Sequence, residues 1–216
     1  MNKFEIKSQS FKVAALLAIV GGFLDSYSYI IRNGVFANAQ TGNMVLFGIN
    51  LLNRNYQSAF HFLLPIISFF LGIIIAEYWN YKQEKKQLHW RNYTLATQII
   101  ILTIVAFLPL SQSSLANVLI SLNCAIQVQS FKHFHNLAYA STMCTGNLMK
   151  SAKLIADYHF KKDKNNLIKA IKYLSLIIVF IIGAAIAVVV TKLFSYHSVL
   201  FCNLLLVIIV IIINGK

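Results

Sequence analysis

The residues of this sequence whose types and spacing could do chemistry are one acid and a repeated tripeptide. The acid is Asp25, which lies in the apolar stretch 12–31, where a carboxylate is costly unless it faces a cavity or a partner. There it could titrate as a proton site or bind a cation. Two structural alternatives are that it caps backbone groups of a nearby broken segment, or that it pairs with Arg32.

The tripeptide Thr-Gly-Asn occurs twice, and each copy brings polar residues into otherwise apolar sequence. Threonine is a good helix N-cap, glycine permits a tight backbone, and asparagine can bind free carbonyl or amide groups. We therefore predict short helices that begin at Thr41 and Thr145, with their N-termini at membrane depth. Paired helices of this kind offer backbone donors and a positive dipole end to a solute. The alternative is that the glycines only let helices pack closely.

Gln129 is the third candidate, because an ungapped alignment of the two halves at the tripeptide offset places it opposite Asp25. It could complete a polar pair with that acid, with Asn123 and Gln127 on the same helix. The alternative is that these amides hydrogen-bond neighbouring helices. The predicted solute- or ion-binding residues are Asp25, Thr41, Gly42, Asn43, Gln129, Thr145, Gly146 and Asn147.

The elements that must position these residues are membrane helices. The chain of 216 residues is 58% hydrophobic and only 12% charged, which is too apolar for an ordinary soluble domain. We predict an all-α polytopic membrane protein with about six transmembrane helices and two short re-entrant or broken helices. The predicted spans lie near 12–31, 60–79, 93–110, 114–131, 170–191 and 198–214, and the re-entrant segments lie near 35–53 and 139–157.

The distribution of basic residues decides between six and eight spans. Six spans with a cytoplasmic N-terminus leave only Arg32, Arg54 and Lys192 outside, so sixteen of the nineteen Lys and Arg residues lie inside. Eight spans would move four of them out and would bury Lys150 and Lys153 in the membrane, at a cost of about 3 kcal/mol each. The basic residues behind the net charge of +13 thus set the orientation in the membrane and suit contact with anionic lipid. We therefore predict no binding of nucleic acid.

The same count implies an internal repeat. Three spans in each half are an odd number, so the second half must enter the membrane from the opposite side. We therefore predict a 3+3 inverted repeat, with residues 1–111 and 112–216 as the two membrane repeats and both termini in the cytoplasm.

The sequence contains no phosphate loop, serine elbow, zinc-protease helix or dinucleotide fingerprint. Its cysteines and histidines have no paired metal-ligand spacing. We therefore predict no catalytic residue, no metal and no cofactor, and we do not expect an enzyme.

Two stretches resemble the YoaK-like family of bacterial inner-membrane proteins. The first is Gly-Gly-Phe-Leu-Asp-Ser-Tyr at 21–27, followed by Val-Phe-Ala-Asn-Ala-Gln-Thr-Gly-Asn at 35–43. The second half is similar at Gln127 and Gln129, and again at 141–147. The resemblance covers nearly the whole chain. It implies a multi-spanning bacterial inner-membrane protein and assigns no activity.

Three functions fit these observations. The leading hypothesis is a transporter of a small solute or ion, with Asp25 as a titrating or cation-binding group and the tripeptides shaping a central site. Anionic substrate groups would suit the helix N-termini, while Asp25 would suit a coupled proton. An ion channel of the same fold is the alternative, and a non-transporting membrane scaffold or assembly factor is the third. The expected partners are the lipid bilayer and an unknown small solute or ion, and self-association into a homo-oligomer is left open.

Overall fold

Nearly all of the regular structure is helical. The computed structural model describes residues 3–84, 90–135 and 137–215. The basic residues Lys85, Lys86 and Lys216, counted above on the inner side, lie outside the described residues. The helices are α1 (Lys3–Ser8), α2 (Phe11–Ile31), α3 (Gln40–Leu52), α4 (Tyr56–Glu84), α5 (Trp90–Phe107), α6 (Ser113–Ser130), α7 (Cys144–Lys161), α8 (Lys164–Phe194) and α9 (Leu200–Asn214). Short 3₁₀ turns lie at Leu110–Gln112 and Ser195–Val199, and β1 (His133–Phe134) pairs antiparallel with β2 (Leu137–Ala138).

Each of the six predicted spans coincides with a helix. Not every one of these helices, however, is long and apolar enough to be identified as a membrane span from its length and composition alone. Among the described residues, three helical stretches are long and apolar enough to cross a bilayer: Phe11–Ile31, Tyr56–Lys82 and Lys164–Asn214. The third has 51 residues, and at ~1.5 Å per residue it is more than twice as long as a ~30 Å hydrocarbon core is thick. It contains α8 and α9, and the chain breaks between them at Ser195, where φ is 50°.

Helices α5 and α6 match predicted spans but are more polar than these three stretches. The reason is clearest in α6, whose amide and hydroxyl side chains face the protein interior rather than lipid. Asn117, Asn123 and Gln127 are each at most 1% exposed. An interior helix can carry such residues because other parts of the protein, rather than hydrocarbon, surround it.

The two halves of the chain exchange packing partners. Helix α2 packs chiefly against α8, and also against α9, while α6 packs chiefly against α4, and also against α5. Within each half, the short helix lies along the long helix that follows it, α3 along α4 and α7 along α8. Apart from the six-residue α1, each half therefore contributes four of the described α-helices, a long one, a short one and two more, and each half packs against the helices of the other.

The crossing of α2 and α8 depends on glycine. A Cβ added at Gly22 would overlap the backbone carbonyl of Phe180, and one added at Gly183 would overlap the carbonyl of Ile19. Small residues at such crossings let helix backbones approach closely in membranes. The glycines that hold helices together are thus in the long helices, whereas a Cβ at Gly146 would meet nothing within 4 Å.

Candidate functional site

Two loops converge on the middle of α2. The first connects α2 to α3, and its Asn38 side chain donates from Nδ2 to the carbonyl oxygen of Gly21 at 2.8 Å. Gly21 lies ten residues before Ile31, the end of α2, so this loop dips about 15 Å back along the helix. The second loop connects α6 to α7, and its Thr142 methyl carbon is 2.8 Å from where a Cβ of Gly21 would lie. Helices α3 and α7 therefore both begin beside the middle of α2.

The two tripeptide asparagines hold these loops in the same way. Asn43 accepts a hydrogen bond from the backbone N–H of Phe36 at 3.2 Å and donates to its carbonyl oxygen at 2.6 Å. Asn147 makes the same pair of contacts with Ala140, at 3.5 and 2.9 Å. Both asparagines are buried. Each one satisfies the backbone groups of a residue seven positions earlier, so these side chains fix the loop and do not face the space between the helices.

The tripeptide threonines do not begin the helices, contrary to the prediction. Helix α3 begins one residue earlier than Thr41, and α7 begins one residue earlier than Thr145. The N-cap positions are Ala39 and Met143, and neither makes a side-chain capping bond. The asparagine contacts already set the entry of the chain into each helix, which leaves the threonines within the first turn.

The carboxylate of Asp25 caps backbone N–H groups at the start of α3. Its side chain is 8% exposed, and its Oδ1 accepts a hydrogen bond from the backbone N–H of Asn38 at 2.8 Å. The backbone N–H of Ala39, the N-cap residue of α3, also interacts with this carboxylate. A carboxylate is the group that the positive end of a helix dipole favours.

Arg32 is not the partner of Asp25. The guanidinium of Arg32 is fully buried and donates instead to the carbonyl oxygens of Val105, Leu108 and Pro109 at the end of α5, at 2.9–3.2 Å. It also donates to the Tyr27 hydroxyl oxygen. These carbonyls form the negative end of a helix dipole, which compensates the cation without an acid. The carboxylate of Asp25 therefore has no basic side chain among the contacts described here.

One cavity of about 860 Å³ is lined by Asp25 and by the residues at the starts of α3 and α7, together with the loop residues just before them. It opens between α2, α3, α4, α7 and α8. Its lining consists of polar residues, four aromatic rings and a few apolar or sulfur-containing side chains. These residues are Asp25, Ser26, Tyr29, Phe36, Asn38, Ala39, Gln40, Thr41, Met44, Phe69, Thr142, Met143, Cys144, Thr145, Gly146, Phe180 and Ala184.

Four of the eight predicted site residues line this cavity: Asp25, Thr41, Thr145 and Gly146. Three others lie beside it and do not line it. Asn43 and Asn147 hold the loops, and a Cβ at Gly42 would lie 3.2 Å from the Phe36 ring.

The eighth predicted residue, Gln129, lies elsewhere. It is near the end of α6 and donates a hydrogen bond to the carboxylate of Glu77, which also pairs with Lys132 at 3.3 Å. The ungapped alignment misplaced Gln129, because eight residues separate α2 from α3 whereas thirteen separate α6 from α7. The additional residues accommodate the hairpin of β1 and β2.

Cys124 of α6 contacts the loop before α7, as Asp25 of α2 contacts the loop before α3. The thiol of Cys124 donates a hydrogen bond of 3.5 Å to Oγ1 of Thr142, whereas the carboxylate of Asp25 accepts from the backbone N–H of Asn38. Asn38 and Thr142 are separated by the same offset as the two tripeptides. The two contacts therefore lie at corresponding sequence positions but differ in chemistry, and only the first involves an acid.

Several lining residues were not predicted as site residues. Asn38 is 1% exposed, and its Oδ1 has no hydrogen-bond partner. Tyr29 and Phe36 stack with ring centroids 4.7 Å apart. Asn38 and Phe36 lie just before the first tripeptide, and this proximity is the one sequence feature that could have identified them as site residues. Phe69 and Phe180 come from α4 and α8 and reach the cavity only through the tertiary fold.

The long apolar helices and the buried polar interior define an all-α membrane protein. The family model described as "Protein of unknown function (DUF1275)" matches residues 13–212, and the chain belongs to this family. It is similar to the "UPF0700 transmembrane protein YoaK" of Bacillus subtilis (strain 168), with 27% identity over 204 residues that cover 89% of this chain and 88% of the relative. No solved structure matches the chain. The resemblance seen in the sequence is thereby confirmed.

Proposed function

We propose that this protein transports a small solute or ion across the bacterial cytoplasmic membrane and binds it in the central cavity. The observation that carries the proposal is the meeting of three features in one space: the start of α3, the start of α7 and the carboxylate of Asp25. Non-helical backbone at membrane depth is tolerated only where protein buries it or where it lines a water-filled cavity. Broken helices that begin at such a cavity are a recurring device for binding solutes in transporters.

The exchange of packing partners supports a 3+3 inverted repeat. Helices α3 and α7 start at a common cavity, and each is held by an equivalent asparagine clamp. With α3 and α7 as re-entrant helices, six spans remain, and the charge count favours cytoplasmic termini. A cavity between two related bundles would open to alternate sides when one bundle rocks against the other.

The volume and lining of the cavity favour a transporter over a scaffold. An assembly factor needs no internal solute space, and its polar interior would be satisfied and closed. Here the space is about 860 Å³, and the carboxylate of Asp25 lines it. A cavity of this size is within the usual range for small-molecule sites, ~300–1,000 Å³. A channel of the same fold would be distinguished by unitary currents.

Solute flux into proteoliposomes tests the proposal. We expect saturable uptake of at least one solute from a panel of small cations, zwitterions and anions, and loss of about tenfold or more of that uptake in Asp25→Asn. Glu77→Gln is the matched control, because it removes an acid outside the cavity, and it should retain uptake. Absence of flux for every solute in the panel would refute transport, and unitary currents would indicate a channel.

A further inference from the structure

The charges and hydrogen bonds of the cavity wall discriminate between classes of solute. Among the described residues that line the cavity, Asp25 is the only formally charged side chain, and no lysine, arginine or histidine lies beside it. An anion in this space would face a carboxylate without a compensating cation. Like charges a few ångströms apart repel strongly where water is largely excluded, so this wall disfavours an anion.

The start of α3 is not available to an anion, because Asp25 already occupies it. The carboxylate accepts from the Asn38 N–H at 2.8 Å and also interacts with the N–H of Ala39. The expectation that anionic groups suit the helix N-termini therefore does not hold at α3. At α7, Cys124 and not an acid contacts the loop, but an anion there would still share the cavity with Asp25.

Aromatic rings complete the wall. Tyr29 and Phe36 stack against each other at the side of α2 and α3, and Phe69 and Phe180 approach from α4 and α8. The face of an aromatic ring attracts a cation electrostatically, most strongly where water is excluded. Rings around a lone carboxylate are a combination that binds organic ammonium groups.

We propose that the central cavity binds a small organic cation, with its ammonium group between the Asp25 carboxylate and the aromatic rings. The inference rests on the proposed function for its role as a transport site, but it concerns binding and can be tested without flux. A quaternary ammonium would contact the carboxylate and the rings, and a primary ammonium would also donate hydrogen bonds to the carboxylate.

Cys144 provides the test, because it lines the cavity whereas Cys124 and Cys202 are buried. The rate at which a neutral maleimide labels Cys144 would be measured in nanodiscs with choline, with tetramethylammonium, and with 3,3-dimethylbutan-1-ol, the uncharged isostere of choline. Saturating choline or tetramethylammonium should slow labelling by about tenfold, which corresponds to occupancy of most sites, and the alcohol should not.

Asp25→Asn should abolish the protection, and Glu77→Gln should retain it. Protection by the alcohol equal to that by choline, no protection by either cation, or protection that survives Asp25→Asn would overturn the inference.

A second readout needs no variant and so does not depend on how Asp25→Asn folds. Cationic and anionic methanethiosulfonates of similar size would be compared for their rates at Cys144, each relative to its rate with a free thiol. We expect the cationic reagent to be faster by about tenfold, and an equal or faster anionic reagent would contradict the proposal. Protection of Cys144 by cations without any flux would refute transport alone. Flux of an anion or neutral solute without such protection would refute the cation site alone.

Discussion

At the scale of single residues, the tripeptide asparagines hold loops, whereas Asp25 both accepts a backbone hydrogen bond and lines the cavity. Asn43 and Asn147 are each buried against the backbone of a loop residue, Phe36 or Ala140. A short polar side chain is needed there because the loop has no helix or sheet partner for its backbone groups. The repeated tripeptide thus identifies the starts of α3 and α7. Its asparagines bind the loop backbone and do not line the cavity.

Asn43→Ala should destabilise the protein through loss of this clamp. The backbone N–H and carbonyl groups of Phe36 would be left without partners, at a cost of about 1–3 kcal/mol. Thermal unfolding in nanodiscs would measure the effect. Asn50→Ala is the matched control on the same helix, since Asn50 is partly exposed and its side chain bonds only to the carbonyl of Leu46 in its own helix. Equal shifts for the two variants would contradict the role of Asn43.

Arg32 makes a second prediction at this scale. Arg32→Gln should lower the free energy of unfolding by roughly 3 kcal/mol, because the carbonyls at the end of α5 lose their donors in a buried site. Arg54→Gln, at an exposed arginine, should stay within about 0.5 kcal/mol of the wild type. Denaturation in mixed detergent micelles would compare the two. A smaller loss of stability for Arg32→Gln than for Arg54→Gln would show that the hydrogen bonds of the Arg32 guanidinium do not hold α2 against α5.

At the scale of elements, the close crossing of α2 and α8 positions the cavity. The same crossing places Phe180 and Ala184 of α8 in the cavity wall together with Asp25 of α2. Its geometry depends on the absence of a side chain at Gly22 and Gly183. The short helices α3 and α7 then follow their long neighbours, so the mutual position of the long helices decides how far apart the broken segments lie.

Gly22→Ala should force α2 and α8 apart, since the added methyl group would overlap the carbonyl of Phe180. We expect a loss of about 1–3 kcal/mol in stability, as for overpacking of a core. Gly48→Ala in α3 is the control, because nothing lies within 4 Å of the added methyl group. It should be neutral or gain about 0.5–1 kcal/mol from helix propensity. Thermal unfolding of both variants separates the effects, and tolerance of Gly22→Ala would argue against tight packing at this crossing.

At the scale of the whole molecule, the open question is the sidedness of the two halves. Gln57 and Lys164 are exposed residues at the starts of α4 and α8, which hold equivalent places in the two halves. In an inverted repeat, Gln57→Cys should be labelled by an impermeant maleimide from outside the cell, and Lys164→Cys only after the membrane is opened. Labelling of both positions from the same side would refute the inverted arrangement, whatever the solute.

The sequence by itself determined the helices, because hydrophobic composition and length leave few other structures for a chain in a bilayer. It also located the segments that form α3 and α7 and singled out Asp25, because a polar interruption in apolar sequence needs a partner wherever it lies. Only the tertiary structure decided that Asn38, Phe69 and Phe180 join Asp25 around one cavity, since their contacts depend on how separate helices cross. It also decided that Cys124 contacts Thr142 in the loop before α7, whereas Gln129 contacts Glu77. Loop length sets that register, and an alignment without gaps does not contain it.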